Sequence, residues 1–253
     1  MEEEELLKKR LRELAQKSYR NNQYTFTGFL SPADMACFYE LERELSFVPH
    51  RVWGGSGLCE RVMVRFGGEQ ELGYEEEFPI ACIQVSPLAA KFADELSHRD
   101  FLGALMNLGI ERSTLGDILL VENVGYVFAL ESMADFIMEN LGKVRHTSVM
   151  CRRAEQVPDF ADTDSQELKI QVASGRIDAV LSKVYKLSRS AALELLRQRK
   201  VLLNGRLCES GSTLLAGGDR VSVRGYGRFD YLGEQGVSRK GKTNAIVRYY
   251  GKR

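Results

Sequence analysis

Only five cysteines and three histidines occur in the 253 residues, which leaves little from which to build a metal centre. Cys37, Cys59, Cys82, Cys151 and Cys208 are widely separated, odd in number and form no C-x-x-C pair, so a disulfide framework or thiolate zinc site is not expected. His50, His98 and His146 show no metal-ligand spacing. Long apolar runs are lacking as well. The longest, Phe78 to Val85, is far shorter than the ~20 residues that span a bilayer. The charged, amphipathic start MEEEELLKKRLREL is no signal peptide. The expectation is a cytoplasmic protein with no membrane span, no metal and no cofactor, its cysteines acting as small buried hydrophobes.

A net charge is missing too, but only in the total: 35 basic residues face 35 acidic ones. From Lys169 to Arg253 there are 18 Lys/Arg and 6 Asp/Glu, a net of +12, which leaves 17 basic and 29 acidic residues, a net of −12, in residues 1–168. An acidic body joined to a basic C-terminal third points to a polyanionic partner for that third, and allows a protein partner on the acidic half.

At 44% hydrophobic and 28% charged the chain has enough apolar material for a real core. Residues 2–20 read as a helix, and Ser31-Pro32-Ala33-Asp34 as the start of another running to about Leu45, with Ser as N-cap and Pro at N1. Phe47 to Trp53 and Arg61 to Phe66 read as strands, and Gly67-Gly68 with Glu75-Glu76-Glu77 as a boundary. Beyond it come a strand at Phe78–Val85, a helix through Phe101–Leu108, strands at Asp117–Val121 and Tyr126–Leu130 around a Glu122-Asn123 turn, a helix at Ala134–Leu141 and a strand at Arg145–Met150. That β-α-β-β-α-β order is ferredoxin-like, or RRM-like. The predicted class is α+β: an N-terminal α/β domain (1–76), an RRM-like middle domain (77–154), a polar linker (155–168) and a basic domain (169–253).

In the basic domain a short helix opens near Ser174 or Asp178, and Ser188 caps a second one running from Arg189 to Arg199. Val201-Leu202-Leu203 is a strand, Asn204-Gly205 a hairpin turn, and Arg220 to Arg224 another strand. The ordered motifs R-I-D-x-x-L (176–181), S-R-x-x-A (188–192), V-x-x-N-G (201–205) and G-D-x-V-x-V (218–223) resemble an S4 domain. The resemblance implies two helices on a small sheet, laid on structured RNA. Lys200 stands where many S4 domains carry Gly before the strand. Arg forks and helix N-terminal amides are phosphate ligands. The candidate RNA-binding residues are therefore Lys183, Lys186, Ser188, Arg189, Arg197 and Lys200, with Arg176 and Arg206 as weaker ones. Asp178 reads as a cap or a partner of Arg176.

Further stretches are similar to the YlmH-like family: L-S-H-R-D-F-L-G-A-L-M-N-L-G-I-E-R-S-T-L-G-D-I-L (96–119), F-T-G-F-L-S-P (26–32), E-R-V-M-V-R-F (60–66) and R-G-Y-G-R-F (224–229). The likeness implies a non-catalytic protein that binds rRNA or tRNA on the large ribosomal subunit, in quality control of stalled translation. The middle domain lacks an aromatic RNP1 octamer, which argues against single-strand readout by it.

Other motifs are weaker. Residues 236–243 match G-x-x-x-x-G-K-[ST], but Asn244–Tyr250 reads as a strand where a P-loop needs a helix. Ser97-His98-Arg99-Asp100 are consecutive and make a poor triad; Ser97 with Asp100 reads as a capping box. Tyr24, Phe26 and Phe29 read as core more than as base-stacking residues. The competing class is an RNA-modifying enzyme docked by S4, since G-R-I-D (175–178) resembles a pseudouridine synthase motif. Too few residues follow it for a catalytic domain.

Overall fold

The structure is a computed structural model that describes residues 2–155, 165–237 and 243–250. The chain divides near residue 160 into two compact units.

The first unit begins with α1 (Glu2–Asn21), whose first turn carries four glutamates and whose last carries Arg20, both signs favourable to the helix dipole. β1 (Thr25–Phe26) leads to α2 (Pro32–Leu41). There Ser31 Oγ accepts from Asp34 N at 3.2 Å and Asp34 accepts from Ser31 N at 2.8 Å, the expected start. The helix stops at Leu41, short of Leu45, and turns take the chain to Val48. Leu45 and Val48 still enter the core, so the apolar spacing that suggests a longer helix is used by turns instead. Pro49 then precedes β2 (His50–Trp53), three residues later than expected, and β3 (Met63–Phe66) forms the centre of a β1-β3-β2 sheet. α3 (Glu69–Leu72) is one turn, closed by Gly73 at φ 78°.

β4 (Ile80–Pro87), α4 (His98–Met106), β5 (Leu115–Val121), β6 (Val124–Leu130), α5 (Ala134–Asn140), β7 (Lys143–Val144) and β8 (Thr147–Arg153) follow. Their sheet runs β5-β6-β4-β8-β7, antiparallel throughout. Glu122 and Asn123, both at positive φ, make the expected two-residue hairpin. Arg145 and His146, expected inside the last strand, form instead the tight turn between β7 and β8, with Arg145 at φ 54°.

The five-stranded sheet buries both faces. Ala81, Ile83 and Val85 pack under Phe101, Leu105, Ala134 and Ile137 of the helices. On the other face Ile80, Cys82, Tyr126 and Phe128 lie against Phe26, Phe29 and Met63 of the N-terminal segment. Polar links fasten the seam: the Arg61 guanidinium donates to the carbonyls of Phe29, Arg112 and Leu115, each at 2.9 Å. Residues 1–76 and 77–154, expected as separate domains, thus share one compact unit. Tyr24 and Phe29 are core residues, 6% and 2% exposed.

The second unit starts with β9 (Ser165–Val172), so the last residues of the expected linker belong to a strand. α6 (Ile177–Val184), α7 (Arg189–Arg197), β10 (Val201–Leu203), β11 (Arg206–Leu207), β12 (Asp219–Val223), β13 (Gly227–Val237) and β14 (Thr243–Tyr250) complete it. One antiparallel sheet runs β11-β10-β12-β13-β14-β9. Ile177, Val180, Leu181 and Val184 of α6 and Ala192, Leu195 and Leu196 of α7 pack on Val201, Val221, Phe229, Tyr231 and Val247. The sheet exceeds the small one implied for S4 because β9 pairs with β14 from Ser165↔Tyr250 to Val172↔Thr243. Alternation in β9 places Ile170 and Val172 in the core, although its polar alternate residues read as linker.

Candidate nucleic-acid interface

Arg176 is the N-cap of α6, two residues from either expected position, and makes no side-chain cap. The loop after β11 closes over this start: Ile177 N donates to Thr213 O at 2.8 Å, and Leu215 N to Gly175 O at 2.9 Å. Gly211 permits the approach. A Cβ there would sit 2.5 Å from Leu193 Cδ2 and 3.2 Å from Asp178 Cβ.

Asp178 is thereby buried to 1% exposure, yet it stays charged because two arginines meet it. Oδ1 accepts from Arg176 Nε at 3.2 Å, and Oδ2 from Arg176 Nη2 and Arg189 Nε, each at 3.1 Å. Burial works to raise the carboxyl's pKa; the hydrogen bonds and charges of Arg176 and Arg189 outweigh it and hold the pKa below the usual carboxylate range. One buried anion thus orients two half-exposed cations. Arg189 spends only Nε on Asp178, so among the described residues its two terminal nitrogens remain for an external acceptor.

The turn between α6 and α7 is equally determined. Leu187 N donates to Ser182 O at 2.9 Å and Ser182 Oγ to Leu187 O at 2.8 Å, a Schellman-type ending with Lys186 in the left-handed region at φ 54°. Ser188 then caps α7, accepting from Ala191 N at 3.1 Å as expected. Lys183 and Lys186 are exposed beside this turn, without an ion pair among the described residues.

At the other end of α7 the helix stops at Arg197, two residues before the expected end. Arg199 N donates to Leu196 O and Lys200 N to Leu195 O, each at 3.0 Å, with Arg199 at φ 56°. The position that favours glycine is therefore Arg199, and the expectation that Lys200 occupies it is corrected by one residue. Arg199 pairs with Glu209 at 3.4 Å and Arg197 with Glu194 at 3.8 Å. Asn204 and Gly205, at φ 51° and 78°, form the expected hairpin, which carries Arg206.

The structure therefore brings Arg176, Lys186, Ser188 and Arg189 around the start of α7. Arg197 closes the far end of α7 and Lys200 follows it, eight or more residues on and about 12 Å along the axis at ~1.5 Å per residue. Arg206 belongs to a separate hairpin. Sequence reading missed Arg199, whose only signal is the R-Q-R-K run, and missed that Asp178 serves Arg189 as well as Arg176. Arg220 and Arg248 are engaged within the sheet, by Asp230 at 2.7 Å and Glu167 at 3.2 Å.

Of the P-loop match, Gly236 and Val237 end β13 and Thr243 opens β14, two paired strands; residues 238–242 lie outside the described residues. Asp100 accepts from Ser97 N at 2.8 Å and Ser97 Oγ at 2.6 Å, the capping arrangement. Burial pushes the Cys82 thiol up to about 12 and that of Cys151 to about 11, so both stay protonated at neutral pH. No described helix is long and apolar enough to cross a membrane.

Residues 74–157 match the family described as "Putative RNA-binding domain in YlmH", and residues 175–221 match the S4 domain. A curated relative, "Ribosome-associated protein quality control protein P2" of Bacillus subtilis (strain 168), is 27% identical over 234 residues, covering 90% of this chain and 87% of the relative. A solved structure, "Cell division protein ylmH from Streptococcus pneumoniae", aligns with a TM-score of 0.49 at 21% identity, over 64% of this chain and 95% of that one. The matched domains define the class: a mixed α+β RNA-binding protein built on an S4 domain. Within that class, the chain is a YlmH-like S4 protein, related to a ribosome-associated quality control protein.

Proposed function

We propose that this chain is a non-catalytic, cytoplasmic RNA-binding factor that grips structured rRNA or tRNA through its S4 domain, on the large ribosomal subunit during quality control of stalled translation. The name of the Bacillus relative supports the ribosomal setting. The observation that carries the RNA grip is the Asp178 anchor, which fixes Arg176 and Arg189 beside the capped N-terminus of α7. A preset guanidinium loses less freedom on meeting a phosphate than a free one does. Lys183, Lys186, Ser188, Arg197, Lys200 and Arg206 would extend the contact. Residues 77–154 serve as an RRM-like domain, a reading favoured by the sheet order β5-β6-β4-β8-β7. The acidic N-terminal half is free to meet a protein partner.

Reversing Arg189 would also unseat the buried Asp178, so the cleaner test is Lys183→Glu with Lys186→Glu, two exposed residues. Co-sedimentation with large ribosomal subunits is expected to be lost while the thermal melt is kept. Undiminished co-sedimentation of the folded double variant would refute the site.

A further inference from the structure

The second basic surface lies in the first unit. RNA-binding sheets of the four-stranded kind stack bases on aromatic side chains of their open face. Here that face is closed: Phe128 is 1% exposed, and Tyr126 packs with it against Phe29 and Met63. Any RNA contact by residues 74–157 must use another surface.

One surface has the required chemistry. A cleft of about 540 Å³ runs between the outer side of α4 and the corner where α5 meets β7. That volume lies within the ~300–1,000 Å³ of ligand sites. Arg99 stands at one wall, Lys143 and Arg145 at the other, with Leu108 and Asn107 between; the one carboxylate in the lining, Asp100, is turned to Ser97 and Arg145, and Asn140 Nδ2 donates to Phe136 O. Residues 77–154 carry 7 Lys/Arg against 10 Asp/Glu, so three of the seven cations converge on one cleft of an acidic surface. Arg153 and Arg112 are spent elsewhere, on Glu131 and Asp135 and on the carbonyls of Leu115 and Gly116. Arg99 and Lys143 have no ion pair among the described residues, and Arg145 is only loosely held, 3.6 Å from Asp100. Near the end of α5 by the cleft, Ile137 O and Asn140 O accept from Leu141 N and Gly142 N, and Leu141 O and Gly142 O from Cys151 Sγ and Val149 N.

We infer that this cleft is a second RNA subsite, in which Arg99, Lys143 and Arg145 hold the phosphodiester backbone of a single RNA strand. The inference rests on the chain being RNA-binding, as proposed above, but not on the S4 grip. Gly103 supports it: the residue lies in the cleft wall on α4, and a Cβ there would meet no atom within 4 Å. The space is open although glycine weakens a helix interior.

The test uses the full chain and a fluorescein-labelled 20-nucleotide oligouridylate, titrated at several salt concentrations. Arg99→Ala with Lys143→Ala is expected to weaken binding at least fivefold and to flatten the log K against log salt slope by about 1.4, two single-strand phosphates at ~0.7 each. Gly103→Glu fills the cleft with negative charge; it should weaken binding similarly with the melting temperature unchanged or raised. Unchanged affinity and slope in these variants overturns the inference. If at the same time Lys183→Glu with Lys186→Glu abolishes binding, the S4 reading stands alone. If only the cleft variants lose binding, the inference stands, and the S4 reading is decided by co-sedimentation with large ribosomal subunits. A wild-type chain that does not bind the oligonucleotide at low salt overturns the cleft outright.

Discussion

Asp178 and Arg189 are 11 residues apart in sequence, yet Arg189 Nε donates to Asp178 Oδ2 at 3.1 Å across the α6–α7 turn. The contact joins the second unit's stability to its binding surface, because the carboxylate is buried and the arginine is half-exposed. A carboxylate out of water needs its cations, and the cations take their direction from it.

Asp178→Asn keeps the shape but removes the charge. Breaking a buried pair costs about 3–5 kcal/mol, but both arginines here are more than a third exposed and rehydrate, so roughly 1–3 kcal/mol is expected. RNA affinity should fall as well, although Asp178 touches no RNA. Chemical denaturation and a binding titration on one sample check both; a variant of wild-type affinity would show that the anchor does not orient the arginines.

Lys186 and Arg199 occupy the left-handed helix-ending position that glycine favours. A non-glycine residue there is strained by on the order of 1 kcal/mol. Lys186→Gly and Arg199→Gly are expected to raise stability by up to that amount and to weaken RNA binding. Thermal melts paired with affinity measurements decide the matter; a variant that gains in both would mean that the basic side chain serves no contact.

The Asp178 and Asp230 carboxyls are both held below their ordinary range. Burial opposes this in each case; Arg176 and Arg189 overcome it at Asp178, and Arg220 and Tyr250 at Asp230. Groups with depressed folded-state pKa values contribute stability that is complete above the unfolded value of ~3.9 and is lost as pH falls through the folded value. Stability of the second unit should therefore hold near neutrality and decline below about pH 4. In Asp178→Asn the decline should be shallower, as seen by denaturation across pH 2–7.

Salt reports the number of phosphates gripped. About five contacts at the S4 surface predict a log K against log salt slope near −3.5 to −4.5 on structured RNA. A flat response in an equilibrium titration would contradict electrostatic gripping.

Much of this protein is legible without coordinates. The +12 charge of residues 169–253, the capping boxes at Ser31 and Ser97, the N-cap at Ser188 and the Asn204-Gly205 hairpin follow from local rules, because each depends on residues a few positions apart. The β-α-β-β-α-β order is local in the same sense: its apolar periodicity and turn residues are written along the chain. Tertiary structure alone decided what depends on distant partners. Nothing near Ser165 announces a strand, which forms because β14 offers an edge. Nothing near Phe128 says that its face meets Phe29 and Met63 and not RNA. Arg99 and Lys143 share one cleft only because α4 and β7 pack side by side. Short-range hydrogen bonds and periodicity are set by neighbours, whereas burial and the meeting of charges are set by which surfaces the folded chain brings together.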